Sequence, residues 1–270
     1  MAKLTFYGAV SGVTGSMYLL QTDHCTLLLD CGLFQGRREE EEANHQPLPF
    51  DISRIDAVVL SHAHLDHSGR LPLLVAEGYR GLIYMTRPSC DLIEVLLKDA
   101  ASLQERDVEW ENKRRRRAGK EEIEPLYRLE DVEATLDYCQ GLKYHQRVTI
   151  AEGADGRVAD AGHILGSAIV ELFVTERGVE KKLVFSGDLG NSQAALLRDP
   201  DTVEDADVLL LESTYGDRNH RTMDATLEEF AEVIEAASEN GGNILIPSFA
   251  VGRTQEILYH LHRLTCEGRL

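Results

Sequence analysis

Three histidines and an aspartate fall within six consecutive positions of the segment Leu60-Ser-His-Ala-His-Leu-Asp-His-Ser-Gly69, as His62, His64, Asp66 and His67. Imidazole nitrogens and carboxylate oxygens are ligands for a borderline cation such as zinc. His62 and His64 are two residues apart, so in an extended segment they point to the same side and can reach one ion. Asp66 and His67 follow where the chain turns through Ser68-Gly69, and their side chains diverge enough to serve a second ion. Further ligands are expected from His163 in Ala161-Gly-His-Ile-Leu-Gly-Ser167 and Asp188 in Phe185-Ser-Gly-Asp-Leu-Gly190. Each lies among small residues that permit close backbone approach.

These groups need strands to hold them. Leu27–Leu29 runs into Asp30, Ala57–Leu60 into His62, Leu183–Phe185 leads through Ser186-Gly187 to Asp188, and Val208–Leu211 runs into Glu212. Short aliphatic runs of this kind predict strands buried on both faces of a sheet. Their polar ends then share one rim, where open α/β sheets place their sites. Apolar stripes predict helices over Asp91–Gln104 and around Leu227–Ile234, the latter stopped by Asn240-Gly-Gly242. A strand at Asn243–Ile246 and a helix after Arg253-Thr254 are expected to follow, and Met1–Ser16 reads as a first strand with a Gly-rich turn.

Glu105–Glu124 is densely charged and contains Lys113-Arg-Arg-Arg-Arg117 beside Trp110, the single tryptophan. It suits a solvated helix or loop, or a basic patch facing RNA. The formal net charge of −18 works against polyanionic partners unless local cations or metal offset it. Five cysteines without a CxxC pair argue against a disulfide framework and a thiolate zinc finger, which fits a reducing cytoplasm. No apolar run approaches the ~20 residues of a membrane span. His24, His45, His145, His220, His260 and His262 stand in no metal-binding spacing; the last two, on a helix, would point roughly 200° apart.

Asp30 in LLLDCG, His62-x-His64-x-Asp66-His67, His163 in AGHILGSA and Asp188 in FSGDLG resemble, in order, the first four motifs of the metallo-β-lactamase superfamily. Leu211-Glu-Ser-Thr-Tyr-Gly216 and Ile246-Pro-Ser-Phe-Ala-Val-Gly-Arg-Thr-Gln-Glu256 resemble the entry to a β-CASP domain, the module of nucleases such as the mRNA 3′-end processing endonuclease and its prokaryotic relatives. The resemblance implies an α/β fold, the αββα sandwich of mixed sheets covered by helices, over residues 1–216, with 217–270 beginning the β-CASP domain. It implies one zinc on His62, His64 and His163, a second on Asp66 and His67, Asp188 bridging both, and manganese as a substitute. Asp30 would orient ligands from behind, and Glu212 would orient a catalytic histidine. The catalytic set is thus expected to include Asp66, Asp188 and Glu212, and Arg253 to contact an RNA phosphate. That histidine and the last zinc ligand belong to motifs expected beyond Leu270, so the chain reads as truncated with an incomplete site.

Two cations about 3.5–4 Å apart suit phosphodiester hydrolysis by an activated water. The implied activity is a ribonuclease acting on single-stranded RNA, in the cytoplasm and without membrane contact; a homodimer is one option, and the sequence does not fix the oligomer. The same metal core also suits a small-molecule hydrolase of thioesters or lactams, or a non-catalytic scaffold of an RNA-processing complex. ESTYG and SFAVGRTQE favour the nuclease branch.

Overall fold

A computed structural model describes residues 2–270. Its first sheet takes six strands in chain order, β1 (Lys3–Phe6), β2 (Tyr18–Gln21), β3 (Thr26–Leu29), β4 (Ala57–Val59), β5 (Leu82–Thr86) and β6 (Cys139–Leu142). The first three pair antiparallel and β3 to β6 pair parallel. The second sheet has the order β11-β10-β9-β8-β7, from β7 (Val148–Ala151), β8 (Ala154–Asp160), β9 (Ala168–Glu176), β10 (Val179–Phe185) and β11 (Val208–Leu210). It is antiparallel except for the β10–β11 pair.

Alternation along each strand divides the core in two. Leu27, Leu29, Ala57 and Val59 face the second sheet and pack with Val158, Val170, Leu172 and Phe185. Leu28 and Val58 face outward, where helices cover them. The short helices α1 (Arg38–Glu42) and α2 (Leu65–Ser68) precede the covering helices α3 (Leu71–Ala76), α4 (Arg87–Arg117) and α5 (Leu129–Leu136). Leu71 and Leu74 of α3, Ile93 and Leu97 of α4 and Val132 of α5 supply the apolar cover. Burying a leucine in such a layer stabilises the fold by roughly 1.5–3 kcal/mol, so the LLL and AVV runs fix their strands from both sides. Helices over one face and two packed mixed sheets fit the expected α/β class and supply three of the four layers of the expected αββα sandwich. Two further helices, α6 (Met223–Glu239) and α7 (Arg253–Cys266), follow the second sheet.

Helix ends obey local chemistry. The Thr86 hydroxyl accepts from Ser89 N at the start of α4, and Pro88 occupies the first turn. α6 begins on a Thr222 cap and stops at Asn240, with Gly241 and Gly242 donating to Ser238 and Ala237 carbonyls.

Three expectations change. Asn243–Ile246 forms no strand, because no strand among the described residues pairs with it; Leu245 is 94% exposed. β11 is an edge strand with Val208 and Leu209 exposed, not a strand buried on both faces. The helix expected over Asp91–Gln104 runs on through the arginine cluster to Arg117, where the basic last turn complements the helix dipole. Among the described residues no helix is long and apolar enough to cross a membrane, and all five cysteines are free.

Candidate metal centre

Each strand end delivers its group to one rim. Asp30 follows β3, Ser61 and His62 follow β4, His163 lies in the turn between β8 and β9, and Asp188 follows β10. His64 sits at the head of α2, which carries Asp66 and His67. Glycines allow these loops to touch. Gly190 N donates to Ala161 O at 2.8 Å, and a Cβ on Gly190 would stand 1.8 Å from Gly162 O. The loops of His163 and Asp188 therefore meet backbone to backbone. Gly32 plays the same part between the Asp30 loop and α2, where a Cβ would lie 1.6 Å from Asp66 O.

Four ligand atoms converge, from His62, His64, His163 and Asp188, all within 4.8 Å of one another. His62 Nε2 and His163 Nε2 lie 3.1 and 3.2 Å from His64 Nδ1. Asp188 Oδ2 lies 3.6 Å from His163 Nε2 and 4.0 Å from His62 Nε2. Ligands of a tetrahedral ion with 2.0–2.1 Å bonds stand about 3.3–3.4 Å apart, so the group fits a divalent cation. The second carboxylate oxygen, Asp188 Oδ1, lies 3.3 Å from His67 Nε2, which is 3.8 Å from Asp66 Oδ2. Asp188 thus presents one oxygen to each set.

Behind the ligands stands Asp30, fully buried and held at a left-handed φ of 55°. Its Oδ1 accepts from Ser61 N at 2.8 Å. Its Oδ2 accepts from the Ser16 and Ser61 hydroxyls, both at 2.9 Å, and faces His67 Nδ1 at 2.7 Å. With the Ser61 hydrogen committed to Asp30, the Ser61 oxygen is free to accept from His62 Nδ1 at 3.1 Å. Both contacts hold a proton on Nδ1 and turn Nε2 toward the centre, where it can ligate a cation once it carries no proton of its own. Ser16 and Ser61 were not anticipated. Ser61 adjoins His62, a weak signal, while Ser16 is brought in by the β1–β2 turn and carries none.

Electrostatics agree with a cation site. Burial, reinforced by the neighbouring imidazoles, holds His62 well below its ordinary value and His64 at about 4; burial also lowers His163. These three rings are neutral at pH 7. Burial raises Asp66. Burial alone would also keep His67 neutral, but the carboxylates of Asp30 and Asp188 outweigh it and push the ring up to about 10. Burial works against charge on Asp188 too, yet its hydrogen bond and proximity to His67 hold it below the usual carboxylate range.

Glu212, half-buried after β11, accepts from Leu189 N at 2.9 Å and Thr214 N at 3.0 Å, so it grips the residue next to Asp188. Arg253 is exposed at the first turn of α7, beside Val251, which packs against the outer core layer that includes Ile164. The remaining six histidines lie outside the cluster; His145 pairs with Asp201 at 3.6 Å.

A profile described as a metallo-beta-lactamase superfamily domain matches residues 19–210. A ribonuclease of Thermus thermophilus is 44% identical over 266 residues, covering 97% of this chain and 56% of that protein. An RNase J-like protein of Methanocaldococcus jannaschii is 32% identical over 273 residues, covering 100% and 56%. Transcription termination factor FttA of Methanothermobacter thermautotrophicus is 33% identical over 273 residues, covering 99% and 40%. The chain spans about half the length of the curated relatives that it matches.

Proposed function

This chain belongs to the metallo-β-lactamase superfamily, and from that premise, supported by its β-CASP-like motifs and its ribonuclease relatives, we propose that it is a zinc-dependent ribonuclease of the β-CASP type hydrolysing phosphodiester bonds in single-stranded RNA. Residues 1–216 are the metallo-β-lactamase part and 217–270 belong to the β-CASP domain. The protein acts in the cytoplasm on RNA processing or degradation. The observation that carries this reading is the divided carboxylate of Asp188, with Oδ2 toward His62 and His163 and Oδ1 toward His67.

In this reading His62, His64 and His163 would hold one zinc and Asp66 and His67 a second, with Asp188 offering an oxygen to each set. Zinc bound there supplies electrophilic charge for the phosphate oxygens and lets water act as a nucleophile near neutral pH. The chain's own residues do the rest. Asp30 and Ser61 hold the His67 and His62 rings with Nε2 inward. Glu212, through Leu189 N, fixes the loop that carries Asp188. His64, Asp66, His163 and Asp188 are half-buried, which leaves one side of the centre open to a strand of RNA. In this reading the amides at the start of α7 and Arg253 bind a neighbouring phosphate.

The test is cleavage of an end-labelled 30-nucleotide RNA with zinc or manganese, by the full-length protein and its Asp188→Ala variant. Internal fragments from the parent alone are expected. Cleavage that survives in Asp188→Ala, or none from a parent with both metals bound, overturns the assignment.

A further inference from the structure

Helix α4 outruns the fold on which it packs. Its first half is buried through Ile93, Leu97, Ala100 and Ala101, whereas from Ser102 to Arg117 only Asn112 is buried. That asparagine clasps the returning chain: its amide donates to Ile123 O at 2.8 Å and its oxygen accepts from Ile123 N at 2.9 Å. Arg115 donates to Glu121 O, and Arg116 pairs with Glu122 at 3.2 Å. At 3.6 residues per turn, Asn112, Arg115 and Arg116 share one side of the helix. The protruding tip is therefore strapped to the returning chain along that side.

The opposite side is built differently. Arg106, Trp110, Lys113, Arg114 and Arg117 fall within an arc of about 100°, and all five are exposed. Trp110 is 62% exposed, with the Arg114 guanidinium 5.0 Å from its ring centroid. Glu109 and Glu111, each at 3.1 Å, steady Lys113 and Arg114 along the helix. Among the described residues Arg106 and Arg117 form no ion pair. Compensation of the helix dipole accounts for basic residues in the last turn. It does not account for a solvated indole among four cations on one face of a chain with a net charge of −18.

We propose that this face of α4 is a second RNA-binding site, which stacks an unpaired base on Trp110 and holds phosphates through Arg106, Lys113, Arg114 and Arg117. An aromatic platform between cations is the combination that single strands require. The proposal rests on the nuclease reading for RNA as the ligand. α4 starts beside the metal centre, where the Thr86 hydroxyl donates to Gly166 O at 2.6 Å in the His163 turn. Trp110 lies 23 residues beyond Arg87, about 35 Å along the helix, or roughly ten nucleotides of a stacked strand. Long RNAs reach both places at once, and short ones occupy a single site.

The experiment titrates the full-length protein in EDTA, where RNA stays intact, with a fluorescein-labelled 30-nucleotide uridylate. The expected result is quenching of Trp110 fluorescence and an anisotropy change. By anisotropy, Trp110→Ala binds roughly tenfold more weakly, and Arg114→Gln/Arg117→Gln binds more weakly with a shallower dependence on salt. Arg116→Gln, on the strapped side, binds as the parent does. With zinc, the Trp110 and Arg114/Arg117 variants raise KM for the 30-mer and leave kcat, and KM for a 6-mer, unchanged. Unquenched Trp110, or variants equal to the parent on the 30-mer while the parent still cleaves RNA, would overturn the proposal, turn this face into a protein-docking surface and leave the nuclease reading standing. Quenching without any metal-dependent cleavage would strike the nuclease reading alone.

Discussion

His67 Nδ1 lies 2.7 Å from Asp30 Oδ2, and this buried contact decides which nitrogen of His67 faces the metal centre. The ring donates backward to Asp30 and turns Nε2 toward Asp188 and Asp66. Asp30→Asn retains an acceptor oxygen and tolerates the left-handed backbone, but loses the charge. Zinc affinity of the set containing His67 is expected to fall 10- to 100-fold, and the new amide nitrogen, which meets a donor on whichever side it lies, is expected to cost roughly 1–3 kcal/mol of stability. Asp30→Ala leaves Ser16, Ser61 and His67 without their shared acceptor and is expected to cost roughly 3–5 kcal/mol of stability. Calorimetric zinc titration and denaturant unfolding separate the two effects; equal zinc affinity in parent and Asp30→Asn would count against the orienting role.

Asp66 and Asp188 should differ in what their loss removes. Asp66 lies 3.8 Å from His67, whereas Asp188 comes within 3.6 Å of a ring in each set. Asp66→Ala is expected to retain about one zinc per chain and Asp188→Ala to retain less than one. Elemental analysis after dialysis measures this directly. Two ions retained by Asp66→Ala would remove Asp66 from the ligand set.

The strand ends of this site were legible because a buried strand needs an apolar run and a ligand needs a polar residue at its end. Both signals are local. LLLD, AVVL-S-H and LVF-S-G-D therefore announced β3, β4 and the end of β10 together with their functional groups. Val179–Lys182, the first half of β10, is mostly exposed and largely charged and gave no such signal. Pairing is not local, so nothing near Asn243–Ile246 revealed that it would lack a partner strand, and nothing in Val208–Leu211 revealed an edge. The hydroxyls of Ser16 and Ser61 were illegible for the same reason, since a hydroxyl becomes a positioning group only when the fold brings a carboxylate to it.

Protonation of the site gives opposed trends in the metal-free chain. His64 titrates at about 4 when folded and near 6.5 when unfolded. The unfolded chain therefore takes up its proton first as pH falls, and stability from this ring, complete above pH 6.5, declines by about 3 kcal/mol down to pH 4. His62 and His163 shift the same way. His67, pushed up to about 10, contributes its stability fully below pH 6.5 and loses it as pH rises toward 10. Denaturant midpoints of the EDTA-treated protein should pass through a maximum near pH 6–7. Zinc, which needs His67 without its Nε2 proton, should release about one proton per chain from that ring at pH 7. Calorimetry in buffers of different ionisation enthalpy counts it, and a zinc-binding heat independent of buffer would refute the assignment of His67 as a ligand.

Gly190 offers a steric test of how the two loops are held. An alanine Cβ there would stand 1.8 Å from Gly162 O and 2.8 Å from His163 N, both backbone atoms that cannot rotate away. The loops must separate by more than an ångström, which breaks the bond from Gly190 N to Ala161 O and draws Asp188 from His163. Gly190→Ala is expected to lower stability by roughly 2–4 kcal/mol and to weaken zinc binding to the His62, His64 and His163 set. Gly12, with open space around its Cβ position, supplies the control: Gly12→Ala should leave both quantities within about 0.5 kcal/mol of the parent. A Gly190→Ala protein with the parent's melting temperature and zinc affinity would show that the two loops are positioned independently, and that convergence on the metal centre comes from the strands alone.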